Sequence, residues 1–236
     1  MRHNVRSMGG MGSRIALGLA VAMAALGITA SAANAAATIQ SDPEAYAYLP
    51  GPYVQGLGET AIFDNSLSPA LHDVTTDQLG PDGGPLFFAS VVPGGQVTSV
   101  KGTEYLKAGT YPFYCTLHGS SMSGELTIQP TGKAKPRPSV KASFVNQKLK
   151  QVRKSGVRVK VRSGTASKGV ALIARKGKAV LGIKRGLSFK AGQTKTMTVP
   201  LTKSGRKAIS KGKVVQISIQ ATVQFGKPSS ATRKVR

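Results

Sequence analysis

The sequence predicts an all-β chain made of two β-sandwiches in tandem, and three observations predict it. Between residues 60 and 128, short β-branched or aromatic runs alternate with Gly, Pro, Asn and Asp clusters, with no helical periodicity. Beyond residue 140 the alternation is stricter. Val157, Val159 and Val161 are interleaved with Arg158, Lys160 and Arg162, and Val215, Ile217, Ile219, Ala221, Val223 and Phe225 are interleaved with polar residues. Each such run puts one face into a core and the other into water. Between the two regions, residues 129–140 (QPTGKAKPRPSV) carry three prolines, a glycine and an abrupt change of charge, which mark a domain boundary.

Taken in order, the first element is a leader over residues 1–35. Arg2, Arg6 and Arg14 precede an apolar run over residues 15–30, and Ala33-Asn34-Ala35 supplies small residues for cleavage, the layout of a secretory signal peptide. The run approaches the ~20 residues that span a bilayer, so a retained anchor is the competing reading; its Gly and Ala content favours removal. No adjacent Arg pair and no following Cys mark a folded-export or lipoprotein route. The expected protein is therefore exported unfolded, extracellular or envelope-associated, and loaded with any metal outside.

The first sandwich is placed over residues 38–129, with strands at 60–63, 86–92, 96–100, 110–114 and 125–128. Residues 130–139 form a Pro-rich linker. Residues 140–236 form a second β-domain of about seven strands, in which only residues 201–210 (LTKSGRKAIS) have the look of a helical turn.

Charge follows the same division. The 236 residues contain 33 Lys+Arg and 9 Asp+Glu, a formal net charge of +24 that invites a nucleic-acid-binding reading. All nine acids lie within residues 36–130, against only Lys101 and Lys107, so this segment is −7. Residues 131–236 hold 28 basic residues and no acid. One Cys excludes an intrachain disulfide framework. The two halves are expected to attract each other.

With the leader set aside, and with it His3, Met1, Met8, Met11 and Met23, the metal-capable side chains are His72, Cys115, His118, Met122 and Met197. Singly, each is commonly structural. Three of them, however, share the segment Cys115-Thr-Leu-His118-Gly-Ser-Ser-Met122. A soft thiolate and thioether from one loop, with an imidazole there and another from His72, match a His₂Cys trigonal copper site with a weak axial Met. Zinc, held by His72, Cys115, His118 and a water, is the alternative; Met122 at the fourth position favours copper. Met197 lies in an alternating run (TKTMTV) and is assigned to core or surface.

At these residues the sequence resembles the cupredoxins, the blue copper proteins, in particular the plastocyanin and amicyanin type. The run Gly109-Thr110-Tyr111-Pro112-Phe113-Tyr114-Cys115-Thr116-Leu117-His118, then Met122-Ser123-Gly124, is similar to that family's last hairpin and ligand loop. Phe63-Asp64-Asn65-Ser66-Leu67-Ser68-Pro69-Ala70-Leu71-His72-Asp73-Val74 is similar to its first ligand segment. The resemblance implies a cupredoxin-type Greek-key β-sandwich, with His72, Cys115 and His118 as equatorial ligands and Met122 as the axial one. Where the family commonly has an Asn that supports the Cys loop by hydrogen bonds, this chain has Asp73. An ionised carboxylate close to the site is expected to favour oxidised copper and lower the potential.

Four protein ligands leave no open position for a substrate, and no further His is present for a second copper, so no enzyme is expected. With both His committed as ligands, no Ser-His-Asp or Cys-His nucleophile remains. One-electron transfer to a redox partner protein is the expected function; an envelope copper carrier or sequestering protein is the alternative. The resemblance places the second His at a solvent-exposed edge among apolar residues, for which Leu117, Pro69 and Leu71 are the candidates.

The basic domain should attract polyanions by counterion release. Phe144, Phe189 and Phe225 sit in or near strand-like runs and no Tyr interleaves the charges, which argues against nucleic acid. Export makes anionic cell-wall or membrane-surface polymers the expected partners, with a basic face serving solubility alone as the competing reading. In texture this half resembles the basic immunoglobulin-like modules at the C-termini of exported proteins, which implies an attachment or spacer role.

Overall fold

A computed structural model describes residues 35–236; the leader expected over residues 1–35 lies outside the described residues except at its last position. The fold is all-β. Eight strands precede residue 133: β1 (Thr38–Gln40), β2 (Tyr53–Leu57), β3 (Ile62–Asn65), β4 (His72–Thr75), β5 (Phe88–Val92), β6 (Gln96–Ser99), β7 (Gly109–Cys115) and β8 (Gly119–Gly132). They form a five-stranded sheet, β2-β8-β7-β4-β5, and a three-stranded sheet, β1-β3-β6. Both sheets contribute to one apolar core, in which Ile39 and Phe63 meet Val74, Phe113, Leu126 and Ile128. Full burial of side chains this large stabilises by about 1.5–3 kcal/mol each. Core position is also written into backbone space. Phe113 lies opposite Gly124 in the β7–β8 register, and a Cβ on Gly124 would come within 2.7 Å of its ring.

Seven strands follow: β9 (Val140–Phe144), β10 (Val157–Ser163), β11 (Ser167–Lys176), β12 (Ala179–Phe189), β13 (Thr194–Val199), β14 (Val215–Thr222) and β15 (Ser229–Val235). The sheets β13-β10-β9 and β12-β11-β14-β15 share a second core, built from Val157, Val159, Val161, Leu172, Ile217 and Ile219 among others. Met197 is partly buried against it. The helical turn expected over 201–210 is α2 (Lys203–Ala208), started by the Thr202 hydroxyl accepting the Gly205 N–H at 2.9 Å.

Several elements depart from the sequence reading. β1, β2 and β4 were not anticipated: β1 is only three residues long and buries one side chain, and buried polar residues (Gln55 in β2, His72 and Asp73 in β4) interrupt the apolar pattern of the others. A seven-residue helix, α1 (Leu149–Ser155), was also missed: it buries only Leu149 and Val152, too few positions to show a helical period. β8 is far longer than residues 125–128 and continues to Gly132. Phe225 does not extend β14, which ends at Thr222; it has a left-handed backbone (φ 61°) and turns towards the first sandwich. Among the described residues, no helix is long and apolar enough to cross a membrane.

Candidate metal centre

Three sequence-predicted residues converge at one end of the five-stranded sheet. His72 opens β4 and Cys115 closes β7; these strands are antiparallel neighbours, so the two residues meet at the same end. His118 lies in the short connection from β7 to β8, where its N–H donates to the Cys115 carbonyl at 3.2 Å. One ligating atom from each of His72, Cys115 and His118 lies within 4.8 Å of the others. His72 and Cys115 are fully buried and His118 is half-buried. Met122 is fully buried on β8, in the core that contains Cys115.

The surroundings prepare these atoms for a cation. His72 Nε2 lies 3.1 Å from the Ser68 hydroxyl, while its Nδ1 is buried and has no hydrogen-bond partner. A buried polar nitrogen without a partner costs about 1–3 kcal/mol, a cost that a metal on Nδ1 would remove. In the tautomer that donates Nε2–H to the Ser68 hydroxyl, Nδ1 offers its lone pair. Burial pushes the imidazole below its ordinary range, and repulsion from His118 adds to this, against the opposing pull of Asp73. His72 is therefore neutral at pH 7, as a ligand must be.

Burial likewise pushes the Cys115 thiol up, opposed by the backbone N–H groups of Asp73 and Leu117 and reinforced by the Asp73 carboxylate. The Asp73 N–H lies 3.4 Å from Sγ, and His118 Nδ1 lies at the same distance on another side. Without a cation the thiol keeps its proton, so binding a metal releases one. The Asp73 carboxylate is not among the converging groups. It accepts the Thr116 N–H at 2.6 Å and the Thr116 hydroxyl at 2.5 Å, tying the β4 end to the loop after Cys115. The Tyr48 hydroxyl donates to the Asp73 carbonyl, and burial raises the Tyr48 pKa far above its ordinary value.

Three residues at the site were not singled out by the sequence, although Asn65 and Ser68 lie within the segment that leads to His72. Asn65, fully buried, accepts from the Ser41 hydroxyl at 2.5 Å and donates to the Ala70 and Val92 carbonyls at 2.9 Å, pinning the loop that leads to His72. Ser68 is the second. The third is Tyr46, whose ring stacks on His118 with centroids 4.4 Å apart and planes 15° from parallel, although Tyr46 is itself 64% exposed. A tight loop presents it: the Asp42 carboxylate accepts the Glu44 and Ala45 N–H groups, and the Asp42 N–H donates to the Ala47 carbonyl. Short polar and aromatic residues are too common in loops for spacing alone to single these out.

The converging donors are one thiol and two imidazoles, two of the three residues fully buried, with no carboxylate among them. That set fits a borderline or soft cation and disfavours Mg²⁺ or Ca²⁺. The His72–Cys115–His118 group could therefore hold a metal ion. No protein-family model matches the chain, and no curated protein is similar to it.

Proposed function

We propose that this protein is a cupredoxin-like electron carrier holding one copper ion through His72, Cys115, His118 and, axially, Met122. The observation that carries this reading is the convergence of two imidazoles and one thiol within 4.8 Å, with the Nδ1 of His72 buried and without a hydrogen-bond partner. Copper bound there would supply a one-electron couple, which imidazole and sulfur donors serve in both oxidation states. The chain's own residues do the rest. Ser68 orients His72, the Asp73 and Leu117 N–H groups stabilise the sulfur's negative charge, and the Asp73–Thr116 bonds hold the two ligand segments together. A rigid frame keeps the ligand positions the same in both oxidation states and so lowers the reorganisation on electron transfer.

His118 is the least buried of the three converging ligands, and Pro69, Leu71 and Leu117, which adjoin the ligand segments, are exposed. This edge suits a redox partner protein. A copper carrier is the second reading, favoured by the same partial exposure of His118, since a ligand reachable from solvent also eases release. We place the protein outside the cytoplasm, with residues 140–236 attaching or spacing it at an anionic surface of the envelope.

The test is to add Cu(II) to purified protein. An intense blue or green thiolate-to-copper absorption, abolished in Cys115→Ser, is expected; a colourless product that takes up zinc overturns the copper assignment. Rapid loss of copper to a chelator without a reversible redox wave would decide for the carrier.

A further inference from the structure

We propose that the outer face of the sheet β13-β10-β9 binds a linear polyol-phosphate chain, a phosphodiester polymer with a three-carbon unit between successive phosphates. This deepens the attachment role assigned to residues 140–236 and does not depend on the metal site. On the central strand β10, Arg158, Lys160 and Arg162 are exposed in single file, because Val157, Val159 and Val161 take the opposite face into the core. Lys141 on β9 lies opposite Arg162 and extends the row sideways. Hydroxyls flank the cations. Thr198, Thr196 and Thr194 on β13 pair with Arg158, Lys160 and Arg162, and Ser143 on β9 pairs with Lys160.

On β14 and β15 of the second sheet no strand carries such a file: the corresponding positions are Gln216, Ser218 and Gln220 on β14 and Ser230 and Thr232 on β15, with Lys234 at one end, and Arg175 of β11 stands singly beside Ser218. Three cations in alternate positions of one strand thus distinguish β10, and no Asp or Glu in residues 131–236 opposes them. Alternate residues of a strand are six backbone bonds and ~6.6–6.8 Å apart. A glycerol-phosphate repeat also contains six backbone bonds, so an extended chain laid along β10 presents one phosphate per cation at nearly the same period. The threonine hydroxyls of β13 can donate to the remaining phosphate oxygens.

The surface chemistry separates this occupant from other polyanions. The three aromatics of this half, Phe144, Phe189 and Phe225, are buried or half-buried, so none is available to stack on nucleobases. The exposed large hydrophobics of this half, Val180 and Val214, lie off the face, which therefore offers nothing to insert into a bilayer.

The test measures binding of a synthetic poly(glycerol phosphate) to the full chain by fluorescence anisotropy across a salt series. Binding that weakens with salt is expected. The double variant Arg158→Gln/Arg162→Gln should lose about tenfold or more at low salt and flatten the slope of log affinity against log salt by roughly 1.5–2. Lys178→Gln/Lys234→Gln removes the same charge away from the face and should change affinity less than threefold. Lys141→Gln/Lys160→Gln gives the same reading from the same face should the first pair fail to fold. Equal losses in the on-face and off-face variants overturn the proposal. So do an absence of binding, or tighter binding of single-stranded oligo(dT) or of phosphatidylglycerol vesicles.

Discussion

Tyr46 is mostly exposed yet lies flat on His118, so its ring is held by the His118 contact and the Asp42 loop and not by a core. An aromatic pair of this kind contributes about 0.5–1.5 kcal/mol beyond its buried area, equivalent to roughly 2–12-fold in a rate that requires the stack to open. Tyr46→Ala should therefore speed copper loss to a chelator by about that factor, whereas Tyr46→Phe should leave it nearly unchanged; identical rates in all three proteins would remove Tyr46 from the site. Asp73 gives a second residue-scale expectation. Its oxygens hold the Thr116 N–H and hydroxyl, and hydrogen bonds to a charged group contribute about 1.5–3 kcal/mol each. Asp73→Asn keeps an acceptor for the N–H and can reverse the second bond, so it should cost about 1 kcal/mol in thermal unfolding, against about 3 kcal/mol or more for Asp73→Ala, which loses both. Loss of the charge in Asp73→Asn should also raise the copper potential, and a potential that falls would contradict the electrostatic role. The converging His72, Cys115 and His118 were legible because His and Cys are scarce in this chain. Their supports were not, because Ser, Asn and Tyr are common and only the folded backbone brings Ser68, Asn65 and Tyr46 to the site.

At the scale of elements, the connection from β3 to β4 shows how the chain delivers His72. Asn65 spends its whole amide on that connection, anchoring the Ala70 and Val92 carbonyls while the Ser41 hydroxyl occupies its oxygen. Asn65→Ala removes the donor to two carbonyls and the acceptor of the Ser41 hydroxyl at a buried position, so a loss of about 2–4 kcal/mol is expected in denaturant unfolding. It should also weaken metal binding, because the loop carrying Ser68 and His72 loses its tether. Unchanged metal affinity in a folded variant would show that the loop is held by something else. The Gly94 backbone supports the same loop, leaving no room for a Cβ, which would stand 2.4 Å from the Ser68 carbonyl oxygen. Legibility at this scale tracked alternation. β10 and β14 bury every second residue and were readable from the sequence, whereas β4 is His-Asp-Val-Thr with its first three residues buried. A strand that buries a His and an Asp beside its one apolar residue cannot announce itself by hydrophobic pattern.

At the scale of the whole molecule, the opposite charges of the two halves lead to an expectation of long-range attraction, and the described chain adds a short-range lock. Residues 35–236 form one compact unit. Phe225, only 5% exposed, packs against Phe88 and Tyr105 of the first sandwich with centroids 5.8 Å away in each case. Its N–H donates to the Asp82 carboxylate at 2.8 Å, and the Arg137 guanidinium donates to its carbonyl. Gly102 forms the seat, since a Cβ there would stand 2.7 Å from the Phe225 ring. A bulky residue at φ 61° carries about 1–2 kcal/mol of backbone strain, which persists only where its surroundings hold it. The lock and the charge attraction have different signatures. At roughly 0.1 M salt the Debye length is ~10 Å, so the long-range attraction fades with added salt while buried contacts do not. The wild-type radius of gyration by X-ray scattering should therefore stay constant from about 0.02 M to about 0.5 M salt. Phe225→Ala should match it at low salt, where the charges still draw the halves together, and expand at high salt. Phe225→Gly should expand in the same way but melt higher than Phe225→Ala, because glycine adopts the left-handed backbone without strain. A wild-type protein that expands with salt as much as the variants would mean that charge alone holds the halves together. Variants that stay compact at high salt would place the lock elsewhere than Phe225.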